Sequence, residues 1–222
     1  GTISARQLGN ILANGSSEFF SSIAGSVMMV ILNSVLLRLS GSMAVAAFSI
    51  VMYVDSIVGS LLFGMADSIQ PAISYNYGAR RVPRVRLAIR FMTQLGFLYT
   101  LVSWGLISLF PAFFIRIFNH EPALLEAAVP SLHIYFFGFV MMAFQFAGQS
   151  VFKSLNKAKM AIFFSLLRKA VIVVPLTLLL PRLGELGVNG VFLAEPISNL
   201  IGGLACYITM LCTVYRKLGQ EA

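Results

Sequence analysis

Charged side chains are scarce in this sequence of 222 residues. Asp, Glu, Lys and Arg together make up 11% of it, whereas a soluble domain carries roughly 25%. Apolar residues make up 58%, and the mean hydropathy is +0.86. A soluble fold cannot hide so much apolar surface, but lipid is itself the solvent for the outward faces of a membrane protein. The composition therefore excludes an ordinary soluble domain and predicts an integral membrane protein.

Motifs of enzymes and metal sites are also lacking. The two cysteines, Cys206 and Cys212, lie six residues apart on nearly opposite faces of one predicted helix, so they predict neither a disulfide nor a metal site. The sequence has no Gly-x-Ser-Gly turn of a rhomboid-like protease, no aspartate pair of the Gly-Asp protease kind, no P-loop and no Rossmann glycine pattern. We therefore predict a protein that is not an enzyme and that uses no cofactor and no metal.

Basic residues are present, but they concentrate in short stretches between apolar runs. The densest stretch has five arginines between Arg80 and Arg90. Although the net charge is +8, this distribution follows the positive-inside rule of membrane proteins and argues against a nucleic-acid partner. Arg168 and Lys169 differ because they fall inside an apolar run, from which they either snorkel to the interface or turn inward.

Six apolar runs are long enough to cross the roughly 30 Å of hydrocarbon in a bilayer. A mildly amphipathic lead-in helix precedes them at residues 4–14. We predict an all-α protein that forms a single six-transmembrane-helix bundle over residues 1–222, with both termini of this segment cytoplasmic. The predicted spans are 17–38, 43–69, 87–110, 131–151, 160–180 and 188–214.

Polar residues on the first two spans mark candidate sites. Glu18, Ser22 and Asn33 share one arc of the first span, where Glu18 is either a binding residue or a cap of the helix start. Asp55 lies near the middle of the second span, where an acid costs on the order of 3 kcal/mol on insertion scales. It should therefore face the bundle interior, as a cation or proton site or as a member of a structural ion pair.

Candidates on the later spans are Gln145 in the fourth span, which lacks any acid, and Glu195 beside Pro196 in the sixth. Met and aromatic side chains suit an adaptable pocket for lipophilic cations, although any membrane core contains them too. The proposed pocket-lining residues are Phe19, Met29, Tyr53, Met141 and Phe144.

Several motifs together resemble one transporter family. QPAISYNYGARR at residues 70–81 is similar to the loop after the eighth helix of multidrug and toxic compound extrusion (MATE) transporters. Further similar stretches are NGSSEF at 14–19, AVAAFSI at 44–50, SLLRK at 165–169 and GVNGVFLAEPIS at 187–198. By this resemblance the chain is similar to the carboxy-terminal lobe, helices seven to twelve, of a twelve-helix exporter in the MepA-like branch.

The resemblance implies a cation-coupled antiporter of the bacterial or archaeal plasma (inner) membrane. It would exchange H+ or Na+ for lipophilic, often cationic compounds, and its partners would be the bilayer, these substrates and a preceding six-helix lobe. The start at Gly1 without methionine fits an excised piece of a longer protein. Glu18 matches an acid that this branch carries at the start of its seventh helix. Two alternatives stay open: a flippase for lipid-linked precursors from the same superfamily, and a membrane scaffold without transport activity.

Overall fold

The computed structural model describes residues 5–184 and 186–219 and leaves the side chains of residues 5, 6, 13, 14, 17, 18 and 219 outside the description. Every regular element in these ranges is helical. The all-α bundle predicted from the sequence is thus confirmed. The α-helices are α1 (Ala5–Gly78), α2 (Val82–Leu109), α3 (Pro111–Arg116), α4 (Pro122–Phe136), α5 (Met142–Ser154), α6 (Ala158–Leu166), α7 (Val174–Leu179), α8 (Gly187–Ser198) and α9 (Leu204–Met210).

Helix α1 consists of two arms that meet at Gly41. This residue has φ 71° and ψ −159°, a backbone conformation that a residue with a Cβ rarely adopts. The apolar part of α1 is 60 residues long, about three times the length that one crossing requires, so the break converts it into two crossings. The lead-in segment predicted at 4–14 runs into the first arm without interruption from Ala5 onward.

The remaining apolar helices account for four further crossings. Among the described residues, three more uninterrupted stretches have the length and composition to span a membrane, and a bent pair makes another. They are Val82–Leu109, the pair Pro122–Phe136 and Phe139–Ser154, Ala158–Arg182 and Gly187–Tyr215.

The second arm of α1 ends later than the sequence predicts. We expected the span to stop at residue 69, but the helix continues through Pro71 to Gly78. The turn itself takes only residues 79–81, and it is closed by the Arg81 N–H, which donates to the Asn76 carbonyl over 2.9 Å. A proline inside a helix removes one hydrogen bond, and the rest of the helix can compensate for that loss. The arginines therefore lie past a helix that extends about two turns further than predicted.

The fourth crossing is bent by 40° between α4 and α5. Gly138 lies at the bend, where an added Cβ would stand 2.6 Å from the Pro196 Cα of α8. Only a residue without a side chain allows the two backbones to approach this closely. The bend therefore brings the centre of the fourth crossing against the centre of the sixth.

The fifth and sixth crossings contain wider, π-helical turns beside their prolines. Leu167–Val173 precedes α7, whose second residue is Pro175, and Asn199–Gly203 follows Pro196 of α8. Proline has no N–H to donate to the carbonyl four residues earlier, so a local change in helix register is expected there. Both wide turns carry polar residues of the candidate site described next.

Candidate functional site

Arg168 forms the centre of a buried group of polar side chains. Its Nη1 donates to Glu195 Oε1 over 2.6 Å and to Asn199 Oδ1 over 2.6 Å. Glu195 and Asn199 lie four residues apart in the sixth crossing, on the same face, so that one guanidinium nitrogen reaches both. The side chains of Arg168 and Glu195 are only 11% and 9% exposed. This is an intramembrane ion pair between the fifth and sixth crossings.

Asp55 is the second acid of this group. It lies 14 residues beyond Gly41, about 21 Å along the second arm of α1, which places it near mid-membrane. It is within electrostatic range of Glu195 and Arg168 and within hydrogen-bonding range of the buried Tyr135 hydroxyl. Its Oδ1 atom is buried and has no hydrogen-bond partner among the described residues. We define the charged cluster as Asp55, Tyr135, Arg168, Glu195 and Asn199.

The charged cluster has one guanidinium for two carboxyl groups. Buried charges interact strongly because the surrounding dielectric is low, and an uncompensated buried charge is unfavourable. The pair of Arg168 and Glu195 is balanced, so the second carboxyl, Asp55, is left over. The cluster can therefore accommodate one more cation, a proton being the smallest.

A partly open cleft with a volume of about 220 Å³ lies beside Arg168. Its wall includes a hydrogen bond of 2.5 Å from Ser21 Oγ to Ser165 Oγ. Lys169 Nζ donates to the Ser21 carbonyl over 3.0 Å, and Lys153 Nζ stands 5.4 Å from the centre of the Phe63 ring. We define the basic cleft by its lining residues: Ser21, Phe63, Gln145, Phe146, Gln149, Lys153, Ser165, Arg168 and Lys169.

The structure brings some of the predicted site residues together. Asp55 and Glu195 meet in the charged cluster, whereas Gln145, 3% exposed, lines the basic cleft. Asn33 is partly buried and its Oδ1 has no partner among the described residues, while Ser22 is exposed. The Glu18 side chain lies outside the described part of the chain, although its backbone belongs to α1. These residues remain candidates for binding.

The five predicted pocket-lining residues contact different neighbours in the described part of the chain. Phe19 is 63% exposed, and Tyr53 packs on Phe118 with ring centres 5.4 Å apart. Phe144 contacts the Tyr207 ring at 5.1 Å, on the side facing α9. The other two are partly buried: Met29 packs against the main apolar core, and the Met141 carbonyl lies beside Gly203.

Sequence reasoning missed several residues of both sites. Tyr135 and Asn199 carry no charge and gave no signal, and Lys153 was not among the predicted site residues. Arg168 was left between two orientations. The presence of an arginine and a glutamate of opposite sign inside two neighbouring spans was the available signal that they pair.

No metal centre is formed by the side chains that the structure describes, since no three of His, Cys, Asp and Glu cluster there. Comparison with known proteins identifies the family to which this fold belongs. A family model described as MatE matches residues 19–179, which is most of the chain. The chain belongs to the MatE family. Members of the MatE family are transporters rather than enzymes, and the chain is an integral membrane protein of this class.

Solved MATE structures share the same architecture. A crystal structure of MATE in complex with MaL6 superposes with a TM-score of 0.92 at 20% identity, covering 99% of this chain and 49% of that one. A MOP superfamily transporter from Pyrococcus furiosus, described as having a binding pocket of reverse polarity that suggests a different function, gives a TM-score of 0.91 at 20% identity, over 98% and 49% of the two chains.

A curated relative is a protein named FAD transporter from Shewanella oneidensis. It is 23% identical over 164 residues, which cover 74% of this chain and 36% of the relative. The chain thus spans about half the length of the solved MATE structures and about a third of this relative. The shared architecture extends over one half of a MATE transporter.

Proposed function

We propose that this chain is the carboxy-terminal lobe of an antiporter that uses an H+ or Na+ gradient to export small organic compounds. Such a lobe would rock against a preceding six-helix lobe, so that a cavity between them opens alternately to each side of the membrane. Membership of the MatE family and the half-length match to solved MATE structures support this assignment. The proposed location is the bacterial or archaeal plasma membrane, with both ends of this segment cytoplasmic.

The single observation that carries the proposal is the excess carboxyl group of the charged cluster. Binding of a cation at Asp55 leaves Arg168 free to pair with Glu195 alone, whereas loss of that cation makes both acids compete for the same guanidinium. Asp55, Arg168 and Glu195 belong to three different crossings, so occupancy of the cluster changes how these crossings pack. This is the kind of differential interaction that a coupled conformational change requires.

Apolar side chains pack beside the cluster. Tyr135 and Glu195 of the cluster line a narrow pocket together with Met28, Phe48, Met52 and other apolar residues. Met and aromatic side chains adapt to apolar ligands of different shapes. The family resemblance suggests a cationic cargo, but Glu195 already has a cation partner in Arg168.

A flippase for lipid-linked precursors is the second candidate. The observation that favours it is the basic cleft, which has three cationic side chains among its lining residues. A lipid-linked precursor would present an acidic headgroup to such a cleft while its tail remained in the bilayer.

The test is transport by the complete protein in proteoliposomes with an imposed pH or Na+ gradient. Two compounds are offered as cargo: the aromatic cation ethidium and the aromatic anion 4-methylumbelliferyl phosphate. Asp55→Asn should reduce gradient-driven uptake about tenfold or more, while Asp67→Asn should stay within about twofold. Asp67 is a matched control because it accepts a hydrogen bond from Gln70 in the same arm, outside the cluster. Unchanged gradient-driven uptake by a well-folded Asp55→Asn protein would refute the proposed function.

A further inference from the structure

Two arginines at the start of α2 surround a tyrosine at the end of the sixth crossing. Arg90 Nε donates to the Tyr215 hydroxyl oxygen over 2.7 Å. The guanidinium carbons of Arg86 and Arg90 lie 5.3 Å and 5.9 Å from the centre of the Tyr215 ring. Because the two arginines are four residues apart, they share one face of α2. We define the arginine–tyrosine site as Arg86, Arg90 and Tyr215.

Apolar packing holds this site in place from below. Val85 and Ile89, each next to one of the arginines, are 0% and 1% exposed. They belong to the same apolar core as Val214 and Leu218, which flank Tyr215 in the sequence. The start of α2 is therefore fixed against the end of the sixth crossing, and the two guanidinium groups are brought together without a ligand. A site that is ordered in advance loses less entropy when a ligand binds.

The two like charges of the site have no acidic counterpart. Among the described residues, neither guanidinium forms an ion pair, and the Nε of Arg86 is buried without a hydrogen-bond acceptor. Residues 79–120 contain no acid, and Glu221, outside the described residues, is the only acid that follows the charged cluster in the sequence. Arg216 and Lys217, both exposed, add two further cations directly after the tyrosine. An anion is therefore attracted to this end of the bundle.

The site lies at the depth of the lipid headgroups. Residues 91–109 of α2 carry no charged side chain and extend for about 28 Å, which matches the roughly 30 Å of hydrocarbon in a bilayer. Arg90 directly precedes this stretch, and Arg86 lies one helical turn further out. Arginine and tyrosine are both favoured in the interfacial layer. Phe91, which is 55% exposed, begins the apolar stretch beside the acyl chains.

We propose that the arginine–tyrosine site binds the headgroup of an acidic phospholipid. The lipid phosphate accepts hydrogen bonds from both guanidinium groups, a geometry for which arginine is well suited. Tyr215 holds Arg90 in position, and the acyl chains run along the exposed Phe91. A zwitterionic headgroup brings its own cation and is attracted less strongly. This site lies on the surface of the bundle, so the proposal goes beyond the transport function and does not depend on the charged cluster.

The test is lipid binding to the complete, delipidated protein in detergent, followed by native mass spectrometry. We expect short-chain phosphatidylglycerol to bind with a Kd about tenfold or more below that of short-chain phosphatidylcholine. Arg86→Gln combined with Arg90→Gln should raise the Kd for phosphatidylglycerol about tenfold or more, through the loss of charge-assisted hydrogen bonds. Arg84→Gln removes an exposed arginine from the first turn of the same helix. It is the matched control and should change this Kd by no more than about twofold.

Two further variants keep the test independent of folding. Arg86 makes no hydrogen bond within the described part of the chain, so Arg86→Gln alone should keep the melting temperature of the lipid-free protein and still raise the Kd about threefold or more. Tyr215→Phe keeps the ring but removes the acceptor that holds Arg90, and should raise the Kd about threefold.

Inorganic phosphate separates a lipid headgroup from a free anion. Since it lacks acyl chains, it should bind about tenfold or more weakly than phosphatidylglycerol. Equal affinity for phosphatidylcholine and phosphatidylglycerol would overturn the proposal, and so would binding of inorganic phosphate as tight as that of the acidic lipid. It is also overturned if Arg86→Gln and Arg84→Gln have the same effect on the Kd.

Discussion

The pairing of Arg168 with Glu195 leads to a quantitative expectation for stability. Both side chains are about nine-tenths buried, so solvent does not screen their interaction, and one guanidinium nitrogen makes two hydrogen bonds of 2.6 Å. Replacing Arg168 with Met removes the positive charge while keeping an apolar stem of similar length. Because Glu195 is then left as a buried charge without a cation, we expect the free energy of unfolding to fall by about 3–5 kcal/mol.

The second half of this experiment removes the stranded acid. In Arg168→Met combined with Glu195→Gln, no unpaired charge remains, so part of the lost stability should return. The free energy of unfolding of the double variant should be about 2–3 kcal/mol higher than the value obtained by adding the losses measured for the two single variants. The measurement is a double-mutant cycle in mixed micelles, with SDS as denaturant and helix content followed by circular dichroism. The coupling is refuted if the losses in free energy of unfolding of the two single variants add up to that of the double variant within about 0.5 kcal/mol.

Two further variants test the bend and the first crossing. Gly138→Ala should lower the free energy of unfolding by about 1–3 kcal/mol, because its Cβ would stand 2.6 Å from the Pro196 backbone, whereas Gly105→Ala meets no atom within 4 Å and should not destabilise. Equal melting temperatures for these two variants would contradict the close approach. Glu18→Gln should reduce extrusion by cells that express the complete protein by about fivefold or more, and export at the unmodified rate at every pH would remove Glu18 from the binding candidates.

The sequence was sufficient to place most of the crossings, because twenty apolar residues in succession have few alternatives to a membrane helix. The third span, predicted at 87–110, begins five residues earlier, at Val82, and the sixth, predicted at 188–214, matches Gly187–Tyr215 closely. The end of the second span was missed because hydropathy reports where a helix leaves the lipid and not where it stops. The polar residues between Ser74 and Gly78 continue the helix past the apolar region.

The candidate site was less accessible to sequence reasoning. Because a charge in lipid is unfavourable, the sequence predicted that Asp55 faces the bundle interior. The structure places it in electrostatic range of Glu195 and Arg168. Which crossings meet depends on tertiary packing, such as the contact between Gly138 and Pro196, and no local pattern encodes it. The structure was therefore needed to recognise that Arg168 pairs with Glu195 and that Lys153 lines the basic cleft.

We propose that the excess carboxyl group at Asp55 couples an ion to cargo movement. The most direct test of this coupling measures cargo and counter-ion flux simultaneously in proteoliposomes of the complete protein, with a trapped pH dye for H+ and a sodium-sensitive dye for Na+. The wild-type protein should move one of these ions at a fixed ratio to the cargo, and Asp55→Asn should move cargo down its own gradient without ion flux. A fixed ratio that persists unchanged in Asp55→Asn would contradict the account.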